Sequence, residues 1–381
     1  MPVPFKSGEK PWERLENYLL PKKEKSLIAN EMASGKAQTV LGLIEPSKLG
    51  RTLTHEHLVM DYKNCFFKPV RESDMETVNL NEITLRNLNW IYQNPYSHKY
   101  NLSLGDEPLD EIISEAAEFK KEGGSTIVEN TTNGIQRNVE LLKKISLATG
   151  LNVISGTGFY LDHTVTEEMK ALTVEEMSNM MTKDLTVGVD STGIKCGVIG
   201  EVGCSWPLAP FEKKSLQASA MAQTDTGAPV IIHPGRNDFS PKECLRVFQE
   251  AGGDVKKTVM SHLDRTIFDR KILVDLAETG CYLEYDLFGM EMIHYQANPA
   301  VDMPSDSQRV QEIKFLIDEG YEDQIMMAHD VHTRHRLLKY GGHGYSHIQV
   351  NIIPKMLKRG ISQEVVDKIQ IDNPRTWLTF K

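Results

Sequence analysis

The sequence predicts a (β/α)8 barrel, the TIM-barrel class of α/β fold, on three observations. The chain has 381 residues, which suits a barrel of about 250 residues with insertions. From residue 37 onward, short apolar runs alternate with amphipathic helical segments. Metal-binding residue types stand at the ends of these runs. A doubly wound protein of two domains is the alternative, and the third observation favours the barrel.

Eight apolar runs are predicted as the barrel strands. They are RTLTHEH (51–57), STIVEN (125–130), NVISGTG (152–158), GIKCGVIGEVG (193–203), PVIIHPG (229–235), TVMSHLD (258–264), CYLEYDL (281–287) and QIMMAHD (324–330). Helical segments between them, such as RNVELLKKISLATG and KECLRVFQEAGG, end at glycine, as helices often do. Strand, helix and glycine in repeated order predict parallel pairing.

Residues 1–36 depart from this pattern. In WERLENYLL the apolar residues fall at helical spacing, and Pro11 is placed to open a helix there. Met32 begins a stretch that could itself be a start site. We therefore expect an N-terminal arm or an alternative start over residues 1–36, followed by the barrel over residues 37–381.

Composition excludes several classes of protein. The net charge of −10, without a basic stripe, argues against nucleic-acid or anionic-membrane binding. No apolar run approaches the roughly 18 residues of a membrane span, and the N-terminus has no signal-peptide pattern. The five cysteines are scattered and odd in number, which predicts reduced thiols and a cytoplasmic location.

The stretch TLTHEHLVM, residues 52–60, carries two histidines separated by one residue. Alternate residues of a strand point to the same side, so His55 and His57 project together. Two neutral imidazoles near a strand end form half of a metal site. A pair of buried histidines satisfied by hydrogen bonds would give the same pattern, so the other ligands must come from elsewhere in the chain.

Four further metal-binding side chains stand at other predicted strand ends. The full set is His55 and His57 on strand 1, Glu201 on strand 4, His233 on strand 5, His262 on strand 6 and Asp330 on strand 8. Any single one has an ordinary explanation, such as a helix N-cap for Asp330. The steps of 32 and 29 residues between Glu201, His233 and His262 match one βα unit each. All six would therefore meet at the C-terminal rim of the barrel.

Six nitrogen and oxygen ligands exceed the need of one tetrahedral zinc ion and fit two ions that share a carboxylate. We expect one ion at His55, His57 and Asp330, the other at His233 and His262, and Glu201 as the bridge. Imidazole with carboxylate suits Zn²⁺, although Mn²⁺, Fe²⁺ and Co²⁺ also accept these ligands.

Lys195 is a competing bridge, because some barrel hydrolases bridge two metals with a carboxylated lysine. Lys195 and Glu201 share strand parity, but six residues of strand span about 20 Å at about 3.3 Å per residue. Glu201 is at the C-terminal rim, so we assign the bridge to it and place Lys195 near the opposite end.

Such a site predicts metal-assisted hydrolysis. Two metals about 3.5–4 Å apart lower the pKa of a shared water from about 15.7 toward about 7, which gives a bridging hydroxide. Asp330 is placed to take a proton and pass it to the leaving group. Asp330 and Glu201 are thus the candidate catalytic residues.

Several long segments resemble the phosphotriesterase family of the amidohydrolase superfamily. They include GLIEPSKLGRTLTHEHL, GVIGEVGCSWPL, VIIHPGR, VMSHLDRT, YLEYDLFG, MMAHDVHT and YGGHGYSHI, and the resemblance extends from about residue 37 to Lys381. It implies a barrel with two metals, the six ligands above, and the branch of the family that bridges with glutamate. Animal members of this type further imply hydrolysis of N-acetyltaurine to taurine and acetate, with other N-acetyl amino acids as additional substrates.

The metal site alone would serve an amide, a lactone or a phosphotriester. A phosphotriesterase or lactonase is therefore one alternative, and a metal-bound scaffold without catalysis is another. A small pocket with an anion-binding arginine would favour the amide hydrolase, and a wide apolar pocket would favour the first alternative. A deaminase with a single metal is a weaker reading.

Four residues are candidates for substrate contact. Arg236, in HPGR, would pair with the sulfonate of the substrate, or else is a solvated loop arginine. Tyr160 resembles an aromatic residue near the metals of related lactonases, or else only packs. Asn130 ends strand 2 and is a donor or a turn residue. Tyr345 lies in the glycine-rich GGHGYSH, which would form a lid.

Other segments near the site have less definite roles. His329, His332 and His335 surround Asp330 and are expected behind the ligands or at the surface. The excursion over residues 60–107 either covers the pocket or contacts a second copy of the chain in a homodimer.

Overall fold

A computed structural model describes residues 33–69, 71, 74–78, 80–105, 109–292 and 295–381. Its central feature is a sheet of eight strands in which the successive pairs are parallel. The strands are β1 Thr52–Glu56, β2 Thr126–Glu129, β3 Asn152–Thr157, β4 Val198–Gly203, β5 Val230–His233, β6 Thr258–Met260, β7 Tyr282–Tyr285 and β8 Ile325–Met327. Each strand lies within one of the eight apolar runs.

The first and last strands lie side by side and bring the sheet close to a closed barrel. The strands follow each other in chain order around the sheet. At the rim, the backbone N–H of Asp330 donates to the carbonyl oxygen of His55 at 3.0 Å. Thr54 in β1 also donates through its hydroxyl to the carbonyl of Met327 in β8, at 3.4 Å. The predicted (β/α)8 barrel is confirmed.

Helices pack around the outside of the sheet. Those of eight or more residues are α1 Leu85–Gln93, α2 Asp110–Lys121, α3 Val139–Thr149, α4 Val174–Thr186, α5 Pro210–Thr226, α6 Ser240–Glu250, α7 Arg270–Ala277 and α8 Asp306–Asp318. Gly150 ends α3 as expected, in the left-handed conformation at φ of 67°, and Gly227 ends α5 in the same conformation. The segment KECLRVFQEAGG differs from the expectation, because its helix α6 ends at Glu250 and is followed by Ala251 at the cap. Among the described residues, no helix combines the length and the apolar character needed to cross a membrane.

Shorter elements complete the fold. They are the helices Met75–Val78, Glu167–Ala171, Ile353–Lys358, Gln363–Asp367 and Asn373–Leu378, the π-helical turns Ile348–Ile352 and Lys368–Asp372, and the antiparallel pairs Ala37–Thr39 with Gly42–Ile44 and Met60–Asp61 with Ser103–Leu104. The helical stretch after Pro11 and the start at Met32 lie outside the described residues, so the N-terminal arm stays a prediction.

Apolar side chains fill the barrel below the rim. Val128, Val198, Ile231 and Met326 are fully buried there, and they pack with Trp377 from the last helix. The indole N–H of Trp377 donates to the carbonyl of Val230 at 3.2 Å. This packing leaves the opposite, C-terminal end of the strands as the place where polar side chains can gather.

Candidate metal centre

The structure brings all six predicted ligands together at the C-terminal ends of the strands. Nε2 of His57 lies 3.3 Å from Oε1 of Glu201 and 3.2 Å from Oδ1 of Asp330. Nδ1 of His233 lies 2.6 Å from Oε2 of Glu201. Nε2 of His262 lies 2.9 Å from Nδ1 of His233 and 3.4 Å from Oε2 of Glu201. Glu201 thus stands between the two sets of histidines.

His55 provides the clearest observation that the cluster fits a metal. Its Nε2 atom is buried, lies 3.5 Å from Glu201 and 3.9 Å from Asp330, and has no hydrogen-bond partner among the described residues. Buried polar atoms normally have a partner, and a divalent ion would supply one. The ligand atoms of His55, His57 and Asp330 lie within 4.8 Å of one another, as do those of His55, Glu201 and His262.

Buried charges keep the two carboxylates in the form that binds metals. Burial alone would raise the pKa of Glu201, but the nearby His233 and His55 outweigh it and hold this pKa well below its ordinary value. Burial opposes ionisation of Asp330 in the same way, and His332 and His57 lower its pKa well below the ordinary range. Both side chains are therefore anionic at neutral pH.

A second layer of buried polar groups orients the histidines from below. Nδ1 of His262 lies 2.8 Å from Oδ1 of Asp286, and Nδ1 of His55 lies 3.2 Å from Oδ2 of the same carboxylate. Nδ1 of His55 is also 3.1 Å from Oε2 of Glu284. On the other side, Nδ1 of His57 lies 2.9 Å from the hydroxyl of Thr131. With Nδ1 occupied, these three rings turn Nε2 toward the centre of the site.

The sequence reasoning did not identify this second layer. In CYLEYDL, Glu284 and Asp286 are carboxylates at i and i+2 in an otherwise apolar strand, the same signal that His55 and His57 give in β1. That alternation would have found both residues.

Two of the predicted ligands have an uncommon backbone conformation. His262 and Asp330 adopt positive φ angles of 55° and 51°, the left-handed region that non-glycine residues seldom enter. His262 lies two residues after the end of β6, and Asp330 lies three residues after the end of β8. Such strain persists where the surroundings enforce it and is frequent at functional sites.

Lys195 lies away from the cluster, as expected for the lower rim. It precedes β4, which begins only at Val198, and it lines a surface groove with Gln38, Leu41 and Ile194. The expectation that Lys195 belongs to the strand itself was wrong, because the chain becomes extended three residues later. Of the two candidate bridging residues, only Glu201 faces the histidines, and Lys195 does not.

A pocket opens over the cluster, and the space between atoms there, including the part open to solvent, is about 360 Å³. Its wall is aromatic and cationic. The lining residues outside the metal ligands are Met60, Tyr62, Tyr96, Tyr160, Arg236, Arg265, Leu287, Met290, Tyr295 and His332. Met60, Tyr62 and Tyr96 come from the excursion over residues 60–107, whose described part therefore contributes to the pocket wall.

Two of the four candidate substrate residues line this pocket and two do not. Tyr160 does, with its hydroxyl 3.5 Å from Nδ1 of His233 and 3.2 Å from the hydroxyl of Tyr62. Arg236 does as well, and its Nε donates to the hydroxyl of Tyr295 at 2.7 Å. It is partly buried, which is unlike a solvated loop arginine.

Asn130 and Tyr345 lie behind the ligands instead of in the pocket wall. The amide nitrogen of Asn130 donates to the carbonyl of Thr54 at 3.1 Å. The hydroxyl of Tyr345 donates to the carbonyl of His57 at 2.6 Å. Both therefore support the backbone around the first histidine pair through these hydrogen bonds. The amide oxygen of Asn130 is buried and has no hydrogen-bond partner among the described residues. A substrate contact does not follow from these positions.

The histidines around Asp330 are all buried, so a surface position for them was wrong. Nδ1 of His332 lies 3.1 Å from Oδ2 of Asp330, and its Nε2 lies 3.0 Å from the hydroxyl of Tyr96. His329 is held by Glu56 at 2.7 Å. His335 lies 3.2 Å from Oδ1 of Asn101. His332 alone of the three lines the pocket.

Comparison with known proteins places the chain in a family. The model of the phosphotriesterase family matches residues 35–378. A phosphotriesterase-related protein of Nematostella vectensis is 70% identical over 92% of this chain and 100% of its own length. The N-acetyltaurine hydrolase of Homo sapiens is 54% identical over 91% of this chain and 99% of its own length.

Solved structures agree. A resiniferatoxin-binding protein from Rhodobacter sphaeroides superposes with a TM-score of 0.87 at 32% identity, covering 90% of this chain and 95% of its own. The match to the family model, the relatives that are 54% and 70% identical over most of the chain, and this fold lead to one conclusion. The chain belongs to the phosphotriesterase family.

Proposed function

We propose that this protein is a metal-dependent amide hydrolase that cleaves N-acetyltaurine to taurine and acetate. The observation that carries the proposal is identity of 54–57% to proteins named N-acetyltaurine hydrolase, over 91% of this chain and 99% of theirs. At that identity over the full barrel, the same reaction is the expectation. The pocket supports it, since it combines metal-binding side chains with two arginines.

We assign two divalent ions, most simply Zn²⁺, to the six predicted ligands. His55, His57 and Asp330 would hold one ion, His233 and His262 the other, and Glu201 would bridge them. Bound there, such ions supply a water of lowered pKa and polarise the amide carbonyl. The unpartnered Nε2 of His55 and the position of Glu201 between the histidine sets support this assignment.

Asp330 is assigned as the group that moves the proton. Its Oδ1 faces His57 and its Oδ2 faces His332, at the pocket floor. It takes a proton from the attacking water as the oxygen bonds to the acetyl carbon. It then delivers that proton to the nitrogen as the C–N bond breaks, so that taurine leaves as an amine. The new oxygen and the second proton of the water stay with the acetyl group as acetic acid, which ionises to acetate at neutral pH.

Arg236 and Tyr160 are assigned to the two ends of the substrate. The guanidinium of Arg236 is a charge-assisted donor for the sulfonate. Tyr160, beside His233, packs against the acetyl group. A pocket with arginines in its wall favours this anionic substrate over neutral phosphotriesters and lactones.

Two further predictions accompany the proposal. The five cysteines are free and buried, which supports a reducing, cytoplasmic environment. A homodimer stays a prediction.

Taurine release tests the proposal directly. The purified protein, with its metal content measured, is incubated with N-acetyltaurine beside an Asp330→Asn variant. We expect release by the parent and a loss of at least about 100-fold in kcat for the variant, as for other positioned acid–base groups. A parent with bound metal that releases no taurine, while it hydrolyses lactones or phosphotriesters, would contradict the substrate assignment.

A further inference from the structure

We propose that Arg265 is the second half of a two-arginine site, with Arg236, that selects a sulfonate over a carboxylate. The inference rests on the proposed function and adds to it a residue that determines specificity. Arg265 follows β6, three residues after His262, and its side chain lines the same pocket as Arg236.

The guanidinium of Arg265 is buried and has no anionic partner. Its Nη1 donates to the hydroxyl of Thr266 at 3.0 Å, and its Nη2 donates to the carbonyl of Pro234 at 3.2 Å. Nη2 also lies 3.1 Å from Nε2 of His233. No carboxylate pairs with Arg265 or with Arg236 in the part of the chain that the structure describes.

Among the described residues, the other buried arginines are compensated within the fold. Arg336 donates to backbone carbonyl oxygens around Asp330. The remaining buried arginines form ion pairs: Arg137 with Asp184 at 2.8 Å, Arg309 with Asp264 at 2.8 Å, and Arg334 with Glu111 at 3.4 Å. A buried charge without sufficient compensation is costly. Arg265 is buried and donates to a single backbone carbonyl, and Arg236 is partly buried. Both lie in one pocket wall without a carboxylate partner among the described residues, which indicates that a ligand supplies the anion.

The contact between Arg265 and His233 depends on which ring nitrogen carries the hydrogen. Nδ1 of His233 faces Glu201, so it is the nitrogen that would bind a metal. A neutral imidazole that binds through Nδ1 carries its hydrogen on Nε2 and cannot accept from Arg265. Nη2 would then lose this acceptor and be free to donate to a ligand in the pocket.

Two guanidinium groups suit a sulfonate better than a carboxylate. Each guanidinium presents a planar fork of N–H donors that matches a pair of oxygens. A sulfonate has three oxygens in a tetrahedral arrangement, so two forks can each engage a different pair. A carboxylate has two oxygens in one plane and can fill only one fork well. The arginine pair therefore favours N-acetyltaurine over N-acetyl-β-alanine, which differs from it in the acidic group alone.

The test compares these two substrates in Arg265→Gln, Arg265→Lys and the parent. The parent should prefer N-acetyltaurine by at least about tenfold in kcat/KM. Arg265→Gln should raise KM for N-acetyltaurine roughly 10- to 100-fold, as expected for loss of charge-assisted hydrogen bonds, with kcat changed less than about threefold. It should also lose most of the preference, and Arg265→Lys should recover part of the KM but little of the preference.

Controls separate binding from folding and from metal loading. Arg270→Gln makes the same substitution in the same βα unit, at an exposed arginine paired with Glu312 on the outer surface, and should leave both substrates unaffected. Metal content and melting temperature are measured for every variant. An unchanged KM with a reduced kcat in Arg265→Gln would overturn the inference, because Arg265 would then act only by holding His233.

A binding measurement keeps this inference distinct from the proposed function. Titration calorimetry with ethanesulfonate, which cannot be hydrolysed, reports the arginine pair without turnover. If the parent hydrolyses no N-acetyltaurine, the proposed function fails. Weakened ethanesulfonate binding in Arg265→Gln would still support the sulfonate site, and binding as strong as in the parent would refute it.

Discussion

Replacement of Asp286 by asparagine should weaken metal binding through one histidine. The carboxylate of Asp286 has three buried N–H neighbours. Oδ1 faces Nδ1 of His262 at 2.8 Å, while Oδ2 accepts from the backbone N–H of His262 at 2.9 Å and faces Nδ1 of His55 at 3.2 Å. Because the backbone N–H is a fixed donor, the amide oxygen of an Asp286→Asn side chain must take the Oδ2 position.

The amide NH₂ group then faces Nδ1 of His262 as a second donor. To accept from it, the ring must move its hydrogen to Nε2, the nitrogen that points to Glu201 and would bind the metal. Loss of such an orienting partner typically weakens metal affinity by about 10- to 100-fold, or about 1.4–2.7 kcal/mol.

Competition with a fluorescent zinc chelator measures this affinity. Asp275→Asn is the matched control, because Asp275 is an exposed carboxylate on α7 that contacts only Lys242 at 3.5 Å among the described residues. We expect the control to bind zinc as the parent does. An Asp286→Asn variant with affinity within about twofold of the parent, at unchanged stability, would refute the role of this second layer.

Three further predictions concern stability. Burial lowers the pKa of His98 to about 4, so folding stability should fall as pH drops from 6.5 to 4, because the unfolded chain takes up the proton first. A shift of this size corresponds to a contribution of about 3 kcal/mol, and urea unfolding across that range should show a smaller loss in His98→Asn than in the parent. Lys257→Met should lower the unfolding free energy by about 2 kcal/mol, because Lys257 donates to three carbonyls at the end of the last helix, those of Thr376, Trp377 and Thr379. The control Lys256→Met should change the unfolding free energy very little, because Lys256 makes none of these hydrogen bonds. Tyr345→Phe should lower the melting temperature through a loss of about 1 kcal/mol while KM stays within twofold, and a large rise in KM would return Tyr345 to the substrate pocket.

The barrel and the position of the ligands were predictable because both depend on local patterns. The apolar runs set the strands, and a parallel sheet brings all C-terminal strand ends to one rim. The six predicted metal ligands could therefore be placed together without knowledge of any distance.

The pocket wall was less predictable, because it depends on how loops fold back over the rim. Nothing in the spacing of Asn130 or Tyr345 indicates that their side chains donate to the backbone beside the histidine pair and do not line the pocket. Tyr62 and Tyr96 enter the wall from an excursion whose path the sequence did not fix. Arg265 was not predicted as a site residue. Its position three residues after a metal-binding histidine is not informative by itself, and only the structure shows that its guanidinium lacks a carboxylate partner.

Metal titration is the most direct test of the central claim that two ions, bridged by Glu201, serve one amide hydrolysis. The protein is stripped with a chelator, and zinc is added back in steps while bound metal and taurine release are followed together. We predict that activity reaches its maximum at two ions per chain, and that Glu201→Gln binds fewer ions with activity reduced at least about 100-fold. Full activity at one ion per chain, unaffected by loss of Glu201, would contradict the account and indicate a site with a single metal.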